Sequence, residues 1–136
     1  MKEIKHIIGA VAFALTALGS TDMQAAEAAP HKNQKSIEMY QECATSCKSC
    51  ATACLNEADV KSLVACVQMN RDCADMCGLC ARLMARDSAH AAKASALCAA
   101  FCQACADECA KHESAHCKQC AEACQKCADE FKKTNK

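Results

Sequence analysis

The sixteen cysteines of this 136-residue chain fall into four groups of four. Cys98, Cys102, Cys105 and Cys109 step by four, three and four, and Cys43, Cys47, Cys50 and Cys54 repeat that rhythm. Cys117, Cys120, Cys124 and Cys127 carry the complementary phase of three, four and three. The last group, Cys66, Cys73, Cys77 and Cys80, opens with a step of seven, and Met69 and Asn70 stand where another cysteine would continue it. An α-helix turns about 100° per residue, so each group is a stripe of thiols within an arc of roughly 60°.

Thiolate is a soft ligand suited to Cu(I), Zn(II) and iron-sulfur clusters. Four zinc sites of four thiolates would each carry two negative charges, and no lysine or arginine occupies a stripe position to offset them. Cu(I) accepts two thiolates in a nearly linear arrangement, and each thiolate can bridge two ions. One Cu(I) then replaces one proton and the column stays neutral, with an upper bound of about sixteen ions set by that stoichiometry. Side chains three or four apart on a helix have Cβ atoms about 5 to 6 Å apart, close enough for two sulfurs to lean onto one ion. Iron-sulfur clusters favour wrapping loops and a terminal C-P motif, which is absent. The alternatives are a disulfide-stabilised helical structural or interaction module, a Zn(II) or mixed-metal buffer, and cysteine as a plain small core residue.

Two further ligand types lie near the stripe ends. His112 and His116 form an H-x-x-x-H pair between the third and fourth stripes. Imidazole binds copper and exchanges readily, so the pair could receive Cu(I), with two solvated turn histidines as the alternative. Met39 and Met84 extend their stripes by one turn as accessory thioether ligands or as flexible core plugs.

Positioning sixteen thiols inward requires helices. Three glycines, one proline and 3% aromatics, against abundant Ala, Lys, Glu and Gln, describe an all-α chain. Helices are expected over Ser36–Leu55, from an Asp59 cap to about Arg86, from an Asp87-Ser88 cap to about Lys111, and from a turn at His112–Ser114 to about Lys132. Short connections make neighbours antiparallel, predicting an up-down-up-down four-helix bundle with a cysteine-lined core. Antiparallel packing gathers Cys54, Cys66, Cys109, Cys117, Asp59 and the histidine pair at one end, and Met39, Cys43, Cys80, Met84, Cys98 and Cys127 at the other. Leu63, Val67, Leu79, Leu83, Leu97 and Phe101 flank the stripes and seal helix contacts, or serve a homo-oligomer interface.

The C-x-x-x-C-x-x-C-x-x-x-C stripes at Cys43–Cys54 and Cys98–Cys109, with their two counterparts, resemble the copper storage proteins, bacterial four-helix bundles whose cysteine-lined cores hold many Cu(I) ions. The resemblance spans Ser36 to Phe131 and implies storage of multiple Cu(I) ions, not catalysis. Family members with histidines at the bundle mouth imply the same place for His112 and His116. The residues themselves offer no nucleophile paired with a base, no phosphate loop and no open catalytic metal site.

Residues 1–28 read as an export signal peptide and 29–136 as the bundle domain. Lys2 and Lys5 precede an apolar run at Ile7–Leu18, too short for the roughly 20 residues of a membrane span. Cleavage is expected between Ala25 and Ala29, and the lack of a twin-arginine pair favours the general secretory route. These features predict an exported, periplasmic protein with no membrane contact after cleavage. The resemblance implies a twin-arginine route for an exported member, a point on which this chain departs. A formal charge of zero recommends no nucleic acid. Copper ions and copper donor or acceptor proteins are the expected partners.

Overall fold

The computed structural model describes residues 31–134. The expected export segment, residues 1–28, lies outside the described residues. Four long helices follow one another: α1 (Gln34–Leu55), α2 (Val64–Ala85), α3 (Ala91–Cys109) and α4 (Ala115–Thr134), with a 3₁₀ turn at Val60–Leu63 before α2. Alanine and unbranched polar residues separate the cysteines within each helix and keep helix propensity high.

The helix ends differ from the sequence expectations in an informative way. No capping bond comes from Ser36 or Asp59: α1 starts at Gln34, and Asp59 instead precedes the 3₁₀ turn, where its carbonyl accepts from the Ser62 hydroxyl. Asp87 closes α2 rather than opening α3. It adopts the left-handed region, with φ of 50°. The Ser88 amide returns to the Leu83 carbonyl at 2.9 Å and the Asp87 amide to that of Met84 at 3.1 Å, the paired bonds of a Schellman motif. The Asp87 carboxylate is held by Lys32 at 2.9 Å and His31 at 3.3 Å, which ties the approach to α1 to the α2–α3 turn. Lys32 foremost, with His31 beside it, holds that carboxyl below the usual range.

Each helix packs against two neighbours, in the ring α1–α2–α3–α4–α1, and no diagonal pair of backbones comes into contact. Sulfur positions fix the directions. Cys54 meets Cys66 across α1 and α2 and Cys77 meets Cys98 across α2 and α3, while between α1 and α4 the earlier Cys43 meets the later Cys124 and the later Cys50 meets the earlier Cys117. Adjacent helices are therefore antiparallel, as the short connections predict.

All sixteen cysteines line the interior and none is more than 2% exposed. Ala44, Ala51, Ala74, Ala81, Ala106 and Ala128 fill the seams between helices, where small side chains permit close approach. Larger apolar residues gather at the ends: Leu63 and Val67 at one, Ile37, Tyr40 and Leu83 at the other. Leu79 and Leu97, expected among the sealing residues, face outward at 37% and 53% exposure. Among the described residues, no helix is long and apolar enough to cross a membrane.

Candidate metal centre

The interior is narrow enough for sulfurs to meet across the diagonal of the ring. Cys43 lies 3.9 Å from Cys102, Cys47 lies 3.9 Å from Cys105, Cys66 lies 3.9 Å from Cys117, and Cys73 lies 4.0 Å from Cys124. Neighbouring helices bring Cys47 to 3.4 Å from Cys124 and Cys77 to 3.5 Å from Cys98. A disulfide requires about 2.05 Å, and all sixteen side chains are free thiols. The result is a continuous column of sulfur in van der Waals contact.

Along the column, ligand atoms converge within 4.8 Å of one another in five groups among the described residues, two of them sharing Cys50 and the other three linked through Cys43, Cys47, Cys73 and Cys124. From one end these are Cys50, Cys54, Cys117 and His116; then Cys50, Cys66 and Cys109; then Cys47, Cys105, Cys120 and Cys124; then Cys43, Cys47, Cys73 and Cys124; then Cys43, Cys73, Cys77 and Cys102. Cys80, Cys98 and Cys127 neighbour one another beyond the last group. Cys43, Cys47, Cys50, Cys73 and Cys124 each belong to two of these groups, and such shared thiols supply the bridging that a one-to-one ratio of metal to sulfur demands.

The structure separates the two histidines. His116 Nε2 lies 3.5 Å from Cys54 Sγ and 3.7 Å from Glu57 Oε1, so this ring touches the first sulfur of the column. His112 joins no sulfur group. Its Nε2 sits 3.5 Å from Glu108 Oε1 and is buried without a well-formed hydrogen bond. Helix geometry explains the split, because Glu108 occupies the turn preceding His112 and intercepts its ring, whereas His116 lies one residue before Cys117 and reaches the Cys54 sulfur.

At the opposite end, Met39 and Met84 pack against the core but belong to none of the sulfur groups. Both line a cavity of about 330 Å³ together with Tyr40 and Ser95. Tyr40 is 2% exposed and stands beside Ser95, Cys80, Cys98 and Cys127. It therefore lies between the methionines' cavity and the last thiols. The spacing of Met39 was legible in the sequence, and so was that of Tyr40, which precedes Cys43 by three and continues the alternation of three and four.

Asn70, a gap in the thiol pattern as read from sequence, is fully buried in the column. Its Nδ2 donates to the Cys66 carbonyl at 2.8 Å and approaches the sulfurs of Cys66, Cys109 and Cys50 at 3.3, 3.4 and 3.5 Å. Its Oδ1 accepts from Cys120 at 2.9 Å and Cys105 at 3.5 Å. The signal was present, since Asn70 follows Cys66 by four and precedes Cys73 by three.

Burial sets the electrostatics. It pushes the Cys117 thiol up to about 11, with Cys54 adding to the effect, and burial likewise raises Cys66. Among the described residues the buried polar side chains outside the cysteines are Asn70 and Ser95, with no lysine or arginine. With no basic side chain buried beside it, the interior tolerates accumulated thiolate charge only when a cation arrives with it.

Fold and interior together define a class: a closed helical bundle that takes soft metal ions inside, between its helices. Comparison with known proteins is consistent with that chemistry. The family described as copper storage protein matches residues 29–136, and the chain belongs to that family. A Cu(I)-bound copper storage protein from Bacillus subtilis is 39% identical, with a TM-score of 0.72 over 74% of this chain and 95% of its own. A cytosolic copper storage protein from Streptomyces lividans, solved with five coppers, is 38% identical, with a TM-score of 0.69 over 72% of this chain and 87% of its own. An uncharacterised cysteine-rich protein of Bacillus subtilis, YhjQ, is 40% identical over 60% of this chain and 76% of its length.

These relatives correct the expected localisation. A periplasmic protein was inferred from the apolar run at residues 7–18, which lies outside the described residues, whereas the Streptomyces relative is described as cytosolic. The correction has a physical side: thiols persist in a reducing cytosol and are prone to oxidation in the periplasm.

Proposed function

We propose that this chain stores multiple Cu(I) ions on the thiolates that line its bundle. The observation that carries this reading is the column of sixteen buried thiols with no buried lysine or arginine among the described residues. A ligand set of that kind stays neutral when each proton is exchanged for one monovalent ion. Divalent zinc in the same column would leave buried negative charge uncompensated. The ligands are Cys43, Cys47, Cys50, Cys54, Cys66, Cys73, Cys77, Cys80, Cys98, Cys102, Cys105, Cys109, Cys117, Cys120, Cys124 and Cys127.

Copper enters at the end marked by His116, which passes the ion to Cys54 and Cys117, and His112 acts beside it at the rim. Met39 and Met84 are accessory thioether ligands at the far end. Donor and acceptor proteins would exchange copper at the His116 mouth, and the outward Leu79 and Leu97 offer a face for self-association. The role is storage, with no chemical transformation of the cargo.

Anaerobic titration of the reduced protein with Cu(I) against a strong chromogenic chelator tests the reading. Uptake should approach one ion per thiol, about sixteen at most. Saturation at one or two ions would sink it.

A further inference from the structure

The five groups of converging ligand atoms fall into two sets. The two groups nearest His116 draw on Cys50, Cys54, Cys66, Cys109 and Cys117, and the three deeper groups draw on none of these. A Cu(I) ion held by two thiolates moves by taking a third before it lets one go, so ions pass readily between groups that share a thiol. Within each set that condition is met: Cys50 joins the two groups at the mouth, and Cys43, Cys47, Cys73 and Cys124 join the three behind them. No thiol belongs to both sets.

Asn70 stands at that division. It holds the α2 seam position where a cysteine would complete the stripe, four residues after Cys66 and three before Cys73. Its fully buried amide spans the two sets. The nitrogen lies 3.3 Å from Cys66, 3.4 Å from Cys109 and 3.5 Å from Cys50, all of the mouth set. The oxygen accepts from Cys120 at 2.9 Å and Cys105 at 3.5 Å, both of the deeper set. The bond from the nitrogen to the Cys66 main-chain carbonyl, at 2.8 Å, fixes which way round the amide sits. A thiolate here would touch both sets and bridge them. An amide nitrogen is a donor with nothing to offer a metal, and an amide oxygen is a hard ligand that competes poorly with thiolate for Cu(I). Sulfurs do approach one another across this level, Cys109 beside Cys105 and Cys120, so the division slows passage and does not bar it.

We infer that the column is two copper stores in series, divided at Asn70: a mouth store that exchanges through His116, and a deep store that exchanges through the mouth store. The inference rests on the storage reading and gives the load an order. Because the buried Tyr40 closes the far end, ions of the deep store leave past Asn70. The protein thus keeps a small, readily exchanged supply in front of a retained reserve.

The test mixes copper-loaded, reduced protein anaerobically with an excess of a strong chromogenic chelator and follows release in time. Wild type should release in two phases, the fast one carrying about five ions, one for each mouth cysteine, and the second about tenfold slower. Alkylation of the thiols freed at the end of the fast phase, located by mass spectrometry, should mark Cys50, Cys54, Cys66, Cys109 and Cys117. Asn70→Cys supplies the missing bridge and should merge the two phases while raising capacity by one ion, a rise that also reports a folded variant. Two unchanged phases in a variant that takes up the extra ion would overturn the division at Asn70. A single phase in the wild type, or label spread evenly over the sixteen cysteines, would overturn it without any variant. Uptake of only one or two ions would sink the storage reading itself, whereas full uptake with one release phase sinks this inference alone.

Discussion

The two ends of the sulfur column are built from opposite materials. At one, an imidazole touches the first sulfur and a carboxylate stands behind it, His116 between Cys54 and Glu57. At the other, a buried tyrosine beside Ser95 lies between the last thiols and a cavity lined by Met39 and Met84. One end offers an exchangeable ligand in contact with the interior, and the other offers a plug. The difference teaches that a symmetric repeat of ligands has been given a direction by what terminates it.

Removing the plug should have the largest effect. Tyr40→Ala empties a fully packed site and should cost about 3 to 5 kcal/mol of copper-free stability, in the range for deleting a buried aromatic ring. Chemical denaturation measures that loss, and chelator-driven copper removal should become faster through the opened end. Unchanged removal kinetics would mean that Tyr40 does not seal the column.

Alkaline pH should weaken the bundle from both ends at once. Burial raises the Cys117 thiol from 9.0 to about 11 and raises the Tyr40 hydroxyl above 10.0 as well. A group whose folded value is raised contributes stability that is present below its unfolded value and lost as pH climbs through the folded one. Thermal melts of copper-free protein should therefore fall between pH 9 and about 11. A flat profile would contradict the neutral column.

At the mouth, His116→Ala should slow Cu(I) uptake by about tenfold, which corresponds to about 1.4 kcal/mol of barrier, while final capacity falls by no more than one ion. His112→Ala should do less, because its ring faces Glu108 and not a sulfur. Stopped-flow loading ranks the two, and equal effects would erase the distinction between them. The smallest change belongs to Met39→Leu with Met84→Leu, a volume-conserving pair whose stability cost should stay below about 1.5 kcal/mol each, with thiolate loading unaltered.

Much of this was legible in the residues. The steps of three and four fixed the helices, their inward faces and the cargo chemistry, because periodicity determines which side chains share a face. The mouth was legible only in part: spacing placed both histidines near it, but not the contact with Glu108 that diverts His112. Capping residues misled because Asp87 and Asp59 serve turns through backbone conformation, which propensity does not specify. Tyr40 and Asn70 both keep the seam rhythm, one three residues before Cys43 and the other four after Cys66, but spacing assigns a face and not the role of a side chain unlike its neighbours. The short apolar run near the start pointed to export on pattern alone, and the cytosolic Streptomyces relative argues otherwise.

The closeness of the sulfurs has a mechanical consequence. A bond between thiolate sulfur and a metal such as zinc is about 2.3 Å, so two sulfurs on opposite sides of one ion of that size stand about 4.6 Å apart. The closest sulfur pairs here stand 3.4 to 4.0 Å apart. An ion seated linearly between such a pair must part them, and rotation of the two cysteine side chains about their staggered wells supplies the room. The load is thus taken up at the hinges of the side chains, and the walls of the vessel need not move.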